Sequence, residues 1–381
     1  MRRQRLFFAI GTRPEAIKLA PVVRAARELP DEFETIVCLS GQHRELVGPL
    51  VEWFDLRPAC DLKVMSPSQS LTELASRCLR KFDDALHQYE PDFVVVQGDT
   101  TTAASAAEAA FYRRMRVVHV EAGLRTGKLE APFPEEFNRR KNALVATLNC
   151  APTERAAAAL RAEGIAPNST RVTGNTVIDA LLWTANRQRK TDEQPKTPTV
   201  LITAHRRESF GAGIADICTA VRRLAEKYPT HHFVWPLHVN PQVRQPVERL
   251  LGDVANVRLG PPLDYPQFVQ AMDAATLILT DSGGVQEEAP SLGKPVLVFR
   301  ETTERPEGIE AGCAELVGTD VERIVARSSD HLAKKAGSQT RVVANPYGDG
   351  RATPRILDWL REVARCNACP AAAIRYFTIV L

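Results

Sequence analysis

The strongest constraint in this sequence is its alternation of short, almost wholly apolar segments with longer segments of helical periodicity. Strands with so little polar alternation are buried on both faces, which is typical of a parallel sheet covered by helices. Connections between parallel strands are nearly always right-handed, so the pattern predicts a Rossmann-like unit. In the first half, strands are predicted at residues 5–10, 35–39, 93–97 and 116–120, and helices at 15–29, 45–54, 71–89 and 101–113.

The second half of the chain repeats this architecture without a residue-level repeat. Strands are predicted at residues 199–203, 232–236, 276–280 and 295–299, and helices at 215–227, 241–251, 265–274, 283–292 and 354–365. At roughly 100–200 residues per domain, 381 residues predict an α/β protein of two Rossmann-like domains facing a cleft. The expected domains are residues 1–174 and a nucleotide-binding domain at 175–353, with 354–381 returning to the first.

Composition excludes several classes of function. Lys and Arg total 49 and Asp and Glu total 46, so the net charge of +3 is unlike that of a strongly basic nucleic-acid binder. No apolar run reaches the roughly 18–20 residues of a membrane span. The 8 scattered cysteines indicate reduced thiols in a cytoplasmic protein. Cys366 and Cys369 form one close pair, but a zinc ribbon needs a second, so no metal is expected.

The loop from Gly11 to Glu15 joins the first predicted strand to the first helix. Helix N-termini attract phosphate through free N–H groups, and Arg13 adds a forked cation there, with Lys18 one turn further on. The alternative is an ordinary strand-to-helix turn with Pro14 near the first helical position. The loop lacks the glycine pattern of a dinucleotide fold and the lysine of an NTPase phosphate loop.

Carboxylates follow two neighbouring predicted strands. Asp99 comes after the strand at 93–97 and Glu121 after the strand at 116–120, so adjacent pairing would place them together at one sheet edge. Glu135 begins another predicted helix and offers a third acid. Three such groups can divide general acid and base roles when their pKa values differ. The alternatives are that Asp99 only caps a helix and that Glu135 only complements a helix dipole.

The predicted second domain carries polar motifs at three strand ends. His205 follows its first strand beside two arginines, which indicates phosphate contact or proton transfer, although a single histidine is often structural. Ser282, Gly283 and Gly284 lie at the start of a predicted helix, where the glycines let a ligand approach the backbone. Glu288 lies about one turn into that helix, where a carboxylate can accept both ribose hydroxyls. Arg305 follows the next strand.

Together these motifs closely resemble the non-hydrolysing UDP-N-acetylglucosamine 2-epimerases of bacteria. The resemblance runs from about residue 6 to residue 360. Each motif is modest alone, and the ordered set is highly specific. The motifs that carry the resemblance lie at residues 11–18, 98–102, 119–127, 134–136, 173–179, 205–210, 280–290, 302–306 and 345–350.

The resemblance implies a glycosyltransferase-B fold, a homodimer, and no metal or nicotinamide cofactor. It implies that UDP-N-acetylglucosamine loses UDP to form 2-acetamidoglucal, to which UDP adds back to give UDP-N-acetylmannosamine for surface polysaccharide synthesis. The matching catalytic residues are Asp99, Glu121, Glu135 and His205, and the matching binding residues are Arg13, Lys18, Phe268, Ser282, Gly283, Gly284, Glu288 and Arg305. Phe268 is expected to contact the uracil. Which acid removes the C2 proton is left open.

The sequence departs from the family pattern in two places. Ser68 stands where members with a clear site for an activating second substrate molecule have arginine, and residues 367–381 form an apolar tail without a counterpart. Four alternatives remain: a hydrolysing epimerase that releases N-acetylmannosamine, a relative acting on a modified sugar, a glycosyltransferase on the same scaffold, and a non-catalytic nucleotide-sugar sensor. Retention of all three acids and His205 argues against the sensor.

Overall fold

The computed structural model describes residues 2–189, 197–333 and 344–366; the apolar tail at 367–381 and Cys369 lie outside this range. The described residues divide into two compact units. The first unit extends to Asp179 and includes the C-terminal segment from Gly350, and the second runs from Ala180 to Asp349. The sequence analysis placed the crossing near residue 174, whereas this division falls inside a helix at Thr176–Arg189.

The described residues of the first unit form a seven-stranded parallel sheet. Its strands are β1 Gln4–Ile10, β2 Phe33–Leu39, β3 Cys60–Asp61, β4 Phe93–Gln97, β5 Arg116–Val120, β6 Leu148–Ala151 and β7 Thr170–Val172. Their order is β3-β2-β1-β4-β5-β6-β7. The helices are α1 Arg13–Arg27, α2 Arg44–Trp53, α3 Leu71–Tyr89, α4 Thr101–Tyr112, α5 Glu135–Val145, α6 Glu154–Ala162 and α7 Thr176–Arg189, which continues into the second unit.

The second unit has a six-stranded parallel sheet within the described range. Its strands are β8 Thr199–Thr203, β9 His232–Pro236, β10 Val257–Gly260, β11 Leu277–Thr280, β12 Val296–Val298 and β13 Ala314–Leu316, in the order β10-β9-β8-β11-β12-β13. Its helices are α8 Ala212–Lys227, α9 Pro241–Leu251, α10 Tyr265–Ala274, α11 Gly283–Glu288, α12 Pro306–Glu310 and α13 Val321–Leu332. The last helix, α14 Ala352–Cys366, belongs to the first unit.

The predicted α/β class is confirmed, with one Rossmann-like parallel sheet in each unit. The predicted strands and most predicted helices match observed elements with ends displaced by no more than three residues. The helix predicted at 283–292 is wrong in its second half: α11 ends at Glu288 and a 3₁₀ turn follows, because Pro290 has no N–H for a helical hydrogen bond. Strands β3, β6, β7, β10 and β13, of two to four residues each, are not among the predicted strands.

The central strands and helix α4 determine where the candidate site forms. Residues 6–10 of β1 are fully buried, and α4 is alanine-rich and buried along most of its length. Small side chains let α4 pack closely against α3, α5 and the sheet. This packing brings the first turn of α5 to the carboxyl ends of β4 and β5.

The C-terminal helix is fastened to the first unit by a buried carboxylate. Asp179 accepts hydrogen bonds from the backbone N–H groups of Ala352 and Thr353 at 3.2 and 2.8 Å. Helix α14 also packs against α1. Among the described helices, none combines the length and the apolar character that crossing a bilayer requires.

Candidate active site

Two acidic side chains lie together at the carboxyl edge of the first sheet. Strands β4 and β5 are parallel neighbours, with Gln97 paired with Val120, and each is followed by an acid. A Cβ added to Gly98, next to Asp99, would lie 3.6 Å from Glu121 Oε2. Strand pairing therefore juxtaposes Asp99 and Glu121.

Glu121 is a buried carboxylate surrounded by donors. Its carboxylate accepts hydrogen bonds from Lys18 Nζ, from Gln97 Nε2 and, at 3.2 Å, from Asn175 Nδ2. Its backbone φ of 62° is unusual for a residue with a side chain. Three donors therefore converge on this buried carboxylate.

Asp99 lies in a different environment from Glu121. Burial raises its pKa above the ordinary value, the guanidinium of Arg139 opposes this rise, and the nearby charge of Glu121 adds to it. Arg139 Nε lies 2.7 Å from Asp99 Oδ2. The two neighbouring acids thus differ in environment, as an acid and a base in one site must.

The turn that carries Asp99 is held by polar side chains. Asn138 Nδ2 donates to the Asp99 carbonyl at 2.8 Å, and Asn142 Nδ2 donates to the Gly98 carbonyl at 3.1 Å. Burial lowers the pKa of His119 to about 4, so its neutral ring donates from Nε2 to the Gly98 carbonyl at 2.8 Å. The alternative that Asp99 only caps α4 is wrong, because the N-cap is Thr100.

Glu135 and Glu136 begin α5, and the structure separates their roles. Glu136 is fully buried and accepts from the N–H groups of Thr126 and Gly127 at 3.1 and 3.3 Å. Burial raises its pKa, but these hydrogen bonds and Arg139 outweigh that effect and bring it below the ordinary value. Glu135 is half-buried, one turn before Arg139 on the same helix face, and takes no hydrogen bond within the described chain.

The loop after β1 differs from its predicted role. Glu15 is fully buried, and its Oε2 accepts from the backbone N–H groups of Gly11 and Thr12 at 2.8 and 2.6 Å. The expectation that free N–H groups here bind phosphate is therefore wrong for these two residues, because their own helix supplies the acceptor. Arg13 remains as the cation of this loop, whereas Lys18 is directed to Glu121.

In the second unit, Gly283 lies between two arginines. A Cβ added to Gly283 would lie 3.9 Å from Arg206 Nη2 and 3.9 Å from Arg305 Cζ. Ser282 is the N-cap of α11, but its hydroxyl makes no capping hydrogen bond. A Cβ on Gly284 would lie 3.8 Å from Glu288 Oε2, so this acid lies close beside the glycine backbone. The arrangement suits a phosphate next to a hydroxyl-bearing group.

Arg305 is positioned by the motif at residues 345–350. Glu287 Oε1 accepts from Arg305 Nε, and Asn345 Nδ2 donates to the Glu287 carbonyl at 2.8 Å. The Tyr347 hydroxyl donates to the Arg305 carbonyl at 2.9 Å and accepts from the Gly308 N–H at 2.9 Å. The motif at residues 345–350 therefore holds Arg305, a candidate phosphate-binding residue about 40 positions earlier in the chain.

His205 is organised by Asp281, which the sequence analysis did not assign. Asp281 is fully buried, and its Oδ2 accepts from the N–H groups of His205 and Arg206, both at 2.7 Å. His205 Nδ1 lies 3.3 Å from Asp281 Oδ1, and its ring stacks on His238 at 5.6 Å between centroids. Burial lowers the pKa of His205, Asp281 opposes this, and His238 and Arg206 reinforce it.

Phe268 is the last of the predicted binding residues. Phe268 is half-buried on α10, and its side chain is placed by the helix rather than by a polar contact.

Within residues 2–189, 197–333 and 344–366, no group of three or more His, Cys, Asp or Glu side chains is arranged to hold a metal ion.

Comparison with known proteins places these features in context. The family model described as UDP-N-acetylglucosamine 2-epimerase matches residues 25–361. The UDP-N-acetylglucosamine 2-epimerase of Escherichia coli O157:H7 is 48% identical over 365 residues, which are 92% of this chain and 97% of that protein.

Solved structures are similar over nearly the whole chain. The UDP-GlcNAc 2-epimerase of Neisseria meningitidis bound to UDP-GlcNAc is 42% identical, with a TM-score of 0.83 over 94% of this chain and 100% of that one. The Methanocaldococcus jannaschii UDP-GlcNAc 2-epimerase in complex with UDP-GlcNAc and UDP is 31% identical, with a TM-score of 0.76 over 94% and 99% of the two chains.

Proposed function

Because this chain belongs to the UDP-N-acetylglucosamine 2-epimerase family, we propose that it interconverts UDP-N-acetylglucosamine and UDP-N-acetylmannosamine without hydrolysis. The observation that carries the proposal is the pair of neighbouring acids, Asp99 and Glu121. Asp99 has a raised pKa, and the Glu121 carboxyl accepts hydrogen bonds from three donors. Such a pair supplies both proton donor and proton acceptor at one carbon.

The proposed reaction is an elimination followed by an addition. A carboxylate takes the C2 hydrogen as a proton, the C1–oxygen bond to UDP breaks with its electron pair on the departing phosphate, and a C1–C2 double bond forms. UDP then adds back at C1 while a proton returns to the opposite face of C2. No atom is gained or lost overall. Glu135 is the third candidate for these proton transfers.

Departure of UDP provides the main driving force, because the C2 hydrogen is only weakly acidic. The charge that develops on the diphosphate needs cationic and N–H partners in the transition state. We assign this role to Arg13, His205, Ser282, Gly283, Gly284 and Arg305. We assign Glu288 to the ribose, Phe268 to the uracil, and Lys18 to holding Glu121 beside C2.

We also propose that the protein acts as a homodimer through an apolar surface of the first unit. The side chains of Phe133, Phe137 and Leu144 are 68%, 53% and 76% exposed. Phe133 and Phe137 line an open, mainly apolar pocket of about 500 Å³ together with residues of α3, α4 and α5. Apolar surfaces of this kind mark protein contacts. Light scattering of wild type and Phe137→Asp should give a dimer and a monomer, and a monomeric wild type would refute the assignment.

Proton NMR of UDP-N-acetylglucosamine with the purified protein in D2O tests the proposed reaction. We expect deuterium at C2 together with a manno sugar that is still attached to UDP. A manno product without UDP would show a hydrolysing enzyme. An unchanged spectrum, with Glu121→Gln as the matched blank, would overturn the epimerase proposal.

A further inference from the structure

The Glu15 carboxyl is a fully enclosed acidic group near the candidate acids. It is 0% exposed. Its Oε2 accepts from Gly11 N–H at 2.8 Å, from Thr12 N–H at 2.6 Å and from the Thr12 hydroxyl at 2.9 Å. Its other oxygen accepts from the hydroxyl of Thr100. One side chain therefore joins the loop after β1 to the loop after β4.

The Thr100 contact extends beyond ordinary helix capping. In a capping box the acid at the third helical position returns to its own N-cap, as Glu73 does with Ser70 at the exposed start of α3. Glu15 makes the same return contact with Thr12 but also reaches Thr100, 85 residues later in the chain. Thr100 caps α4 and immediately follows Asp99.

Helix α1 also contacts the second acid. Lys18, three residues after Glu15 and on the same helix face, donates to Glu121. The first two turns of α1 thus contact the loops of both Asp99 and Glu121, and Arg13 begins the same helix. A displacement of this helix would move all three candidate groups together.

We propose that Glu15 is a positioning residue, an internal carboxyl group that fixes the Asp99 turn relative to helix α1 through Thr100. This inference rests on the proposed function, because it concerns the acids assigned to proton transfer. Glu15 itself is fully buried and is not assigned a contact with substrate or product. Its effect on the reaction passes through Thr100 to Asp99.

The test compares Glu15→Gln with Glu73→Gln, which alters the matched capping box on α3. In wild type, both carboxyl oxygens of Glu15 accept hydrogen bonds from N–H or O–H groups. In Glu15→Gln an amide nitrogen, which cannot accept them, replaces one of these oxygens. We expect kcat for C2 exchange to fall by about 10- to 100-fold, while the KM for UDP-N-acetylglucosamine changes by less than about threefold. We expect Glu73→Gln to retain wild-type kcat. Equal kcat in Glu15→Gln and wild type would overturn the inference.

Thr100 provides a second route to the same answer if Glu15→Gln folds poorly. Thr100→Val removes the hydroxyl and should lower kcat, while Thr100→Ser restores it. Because the two residues act through one contact, the double variant should lose no more kcat than the more impaired single variant. Losses that multiply would show independent, merely structural effects and would overturn the inference.

Amide hydrogen exchange separates this inference from the proposed function. The turn at residues 98–102 should exchange faster in Glu15→Gln than in wild type, and exchange in α3 should be unchanged. Wild-type protein without C2 exchange would refute the proposed function alone, since the turn would still report the Glu15 contact. Unchanged exchange at 98–102 would refute the positioning role.

Discussion

The Lys18 ammonium and the Glu121 carboxylate form an ion pair inside the first unit, with side chains only 14% and 6% exposed. The pair connects the second turn of α1 to the end of β5. Removing one partner of a buried pair leaves an uncompensated charge and costs about 3–5 kcal/mol. The pair thus couples the position of a candidate acid to the stability of the unit.

Lys18→Met should therefore reduce both stability and turnover. We expect the free energy of unfolding to fall by about 3 kcal/mol and C2 exchange to fall by at least about 100-fold, because the remaining donors do not neutralise Glu121. Urea unfolding and NMR exchange measure the two effects. Lys141→Met, which breaks the more exposed pair with Glu108, is the control. Wild-type turnover in Lys18→Met would show that Lys18 does not position Glu121 for the reaction.

Arg139→Gln should move the pH dependence of the reaction. The guanidinium opposes the rise in the Asp99 pKa, so its loss raises that pKa further. The limb of the pH profile of kcat that reports Asp99 should shift to higher pH. Arg140→Gln, which removes only contacts to Glu136 and Glu163, should leave it in place. An unshifted limb in Arg139→Gln would show that Asp99 does not control the rate.

The adjacent acids Glu135 and Glu136 should respond oppositely to substitution. Glu135→Gln should reduce turnover by at least about 100-fold with little change in stability, since the carboxylate has no structural hydrogen bond in the described chain. Glu136→Gln should lower the free energy of unfolding by about 1–3 kcal/mol, because it disturbs buried hydrogen bonds to Thr126 and Gly127. Thermal unfolding measures the stability of each variant, and C2 exchange measures its turnover. If Glu135→Gln lost stability and Glu136→Gln lost turnover instead, the two residues would have the opposite roles.

Glu15 should make stability depend on pH in an unusual direction. Burial raises its pKa from 4.5 to about 7, although hydrogen bonds from Thr100, Gly11 and Thr12 oppose the rise. Between these values the folded chain retains a proton that the unfolded chain releases. Stability from this group is therefore complete below pH 4.5 and lost as pH rises through about 7, by roughly 3 kcal/mol.

Urea unfolding of wild type and Glu15→Gln at pH 5 and pH 8 measures this contribution. The wild type should lose more stability than the variant between the two pH values, and the difference isolates Glu15 from every other titrating group. Parallel losses in the two proteins would mean that Glu15 keeps an ordinary pKa.

Tyr347→Phe should weaken substrate binding. The hydroxyl joins the Arg305 carbonyl to the Gly308 N–H, and its loss frees the start of α12. We expect the KM for UDP-N-acetylglucosamine and the Kd for UDP to rise by about 5- to 10-fold, the equivalent of one hydrogen bond, while kcat is nearly unchanged. Tyr112→Phe, whose hydroxyl contacts only Glu108, serves as the control. Unchanged UDP binding would show that Tyr347 does not position Arg305 for substrate binding.

Local sequence patterns are sufficient to predict the α/β class and the sheet edges at which the candidate catalytic residues lie. Apolar segments such as 93–97 and 116–120 predict buried parallel strands, and the residues that follow such strands lie at a sheet edge. Asp99 and Glu121 can therefore be identified from the amino-acid sequence. This succeeds because strand periodicity and the position of a residue at a strand end are local properties.

What each polar group does at that edge depends on tertiary packing. The fold buries Glu136 and leaves Glu135 half-exposed, pairs the N–H groups of Gly11 and Thr12 with Glu15, and places Asp281 beside His205. These partners are either neighbours with the same local pattern or residues far apart in the chain. Which of them meet depends on the packing of whole elements, and burial and hydrogen bonding then set the charge that each carries.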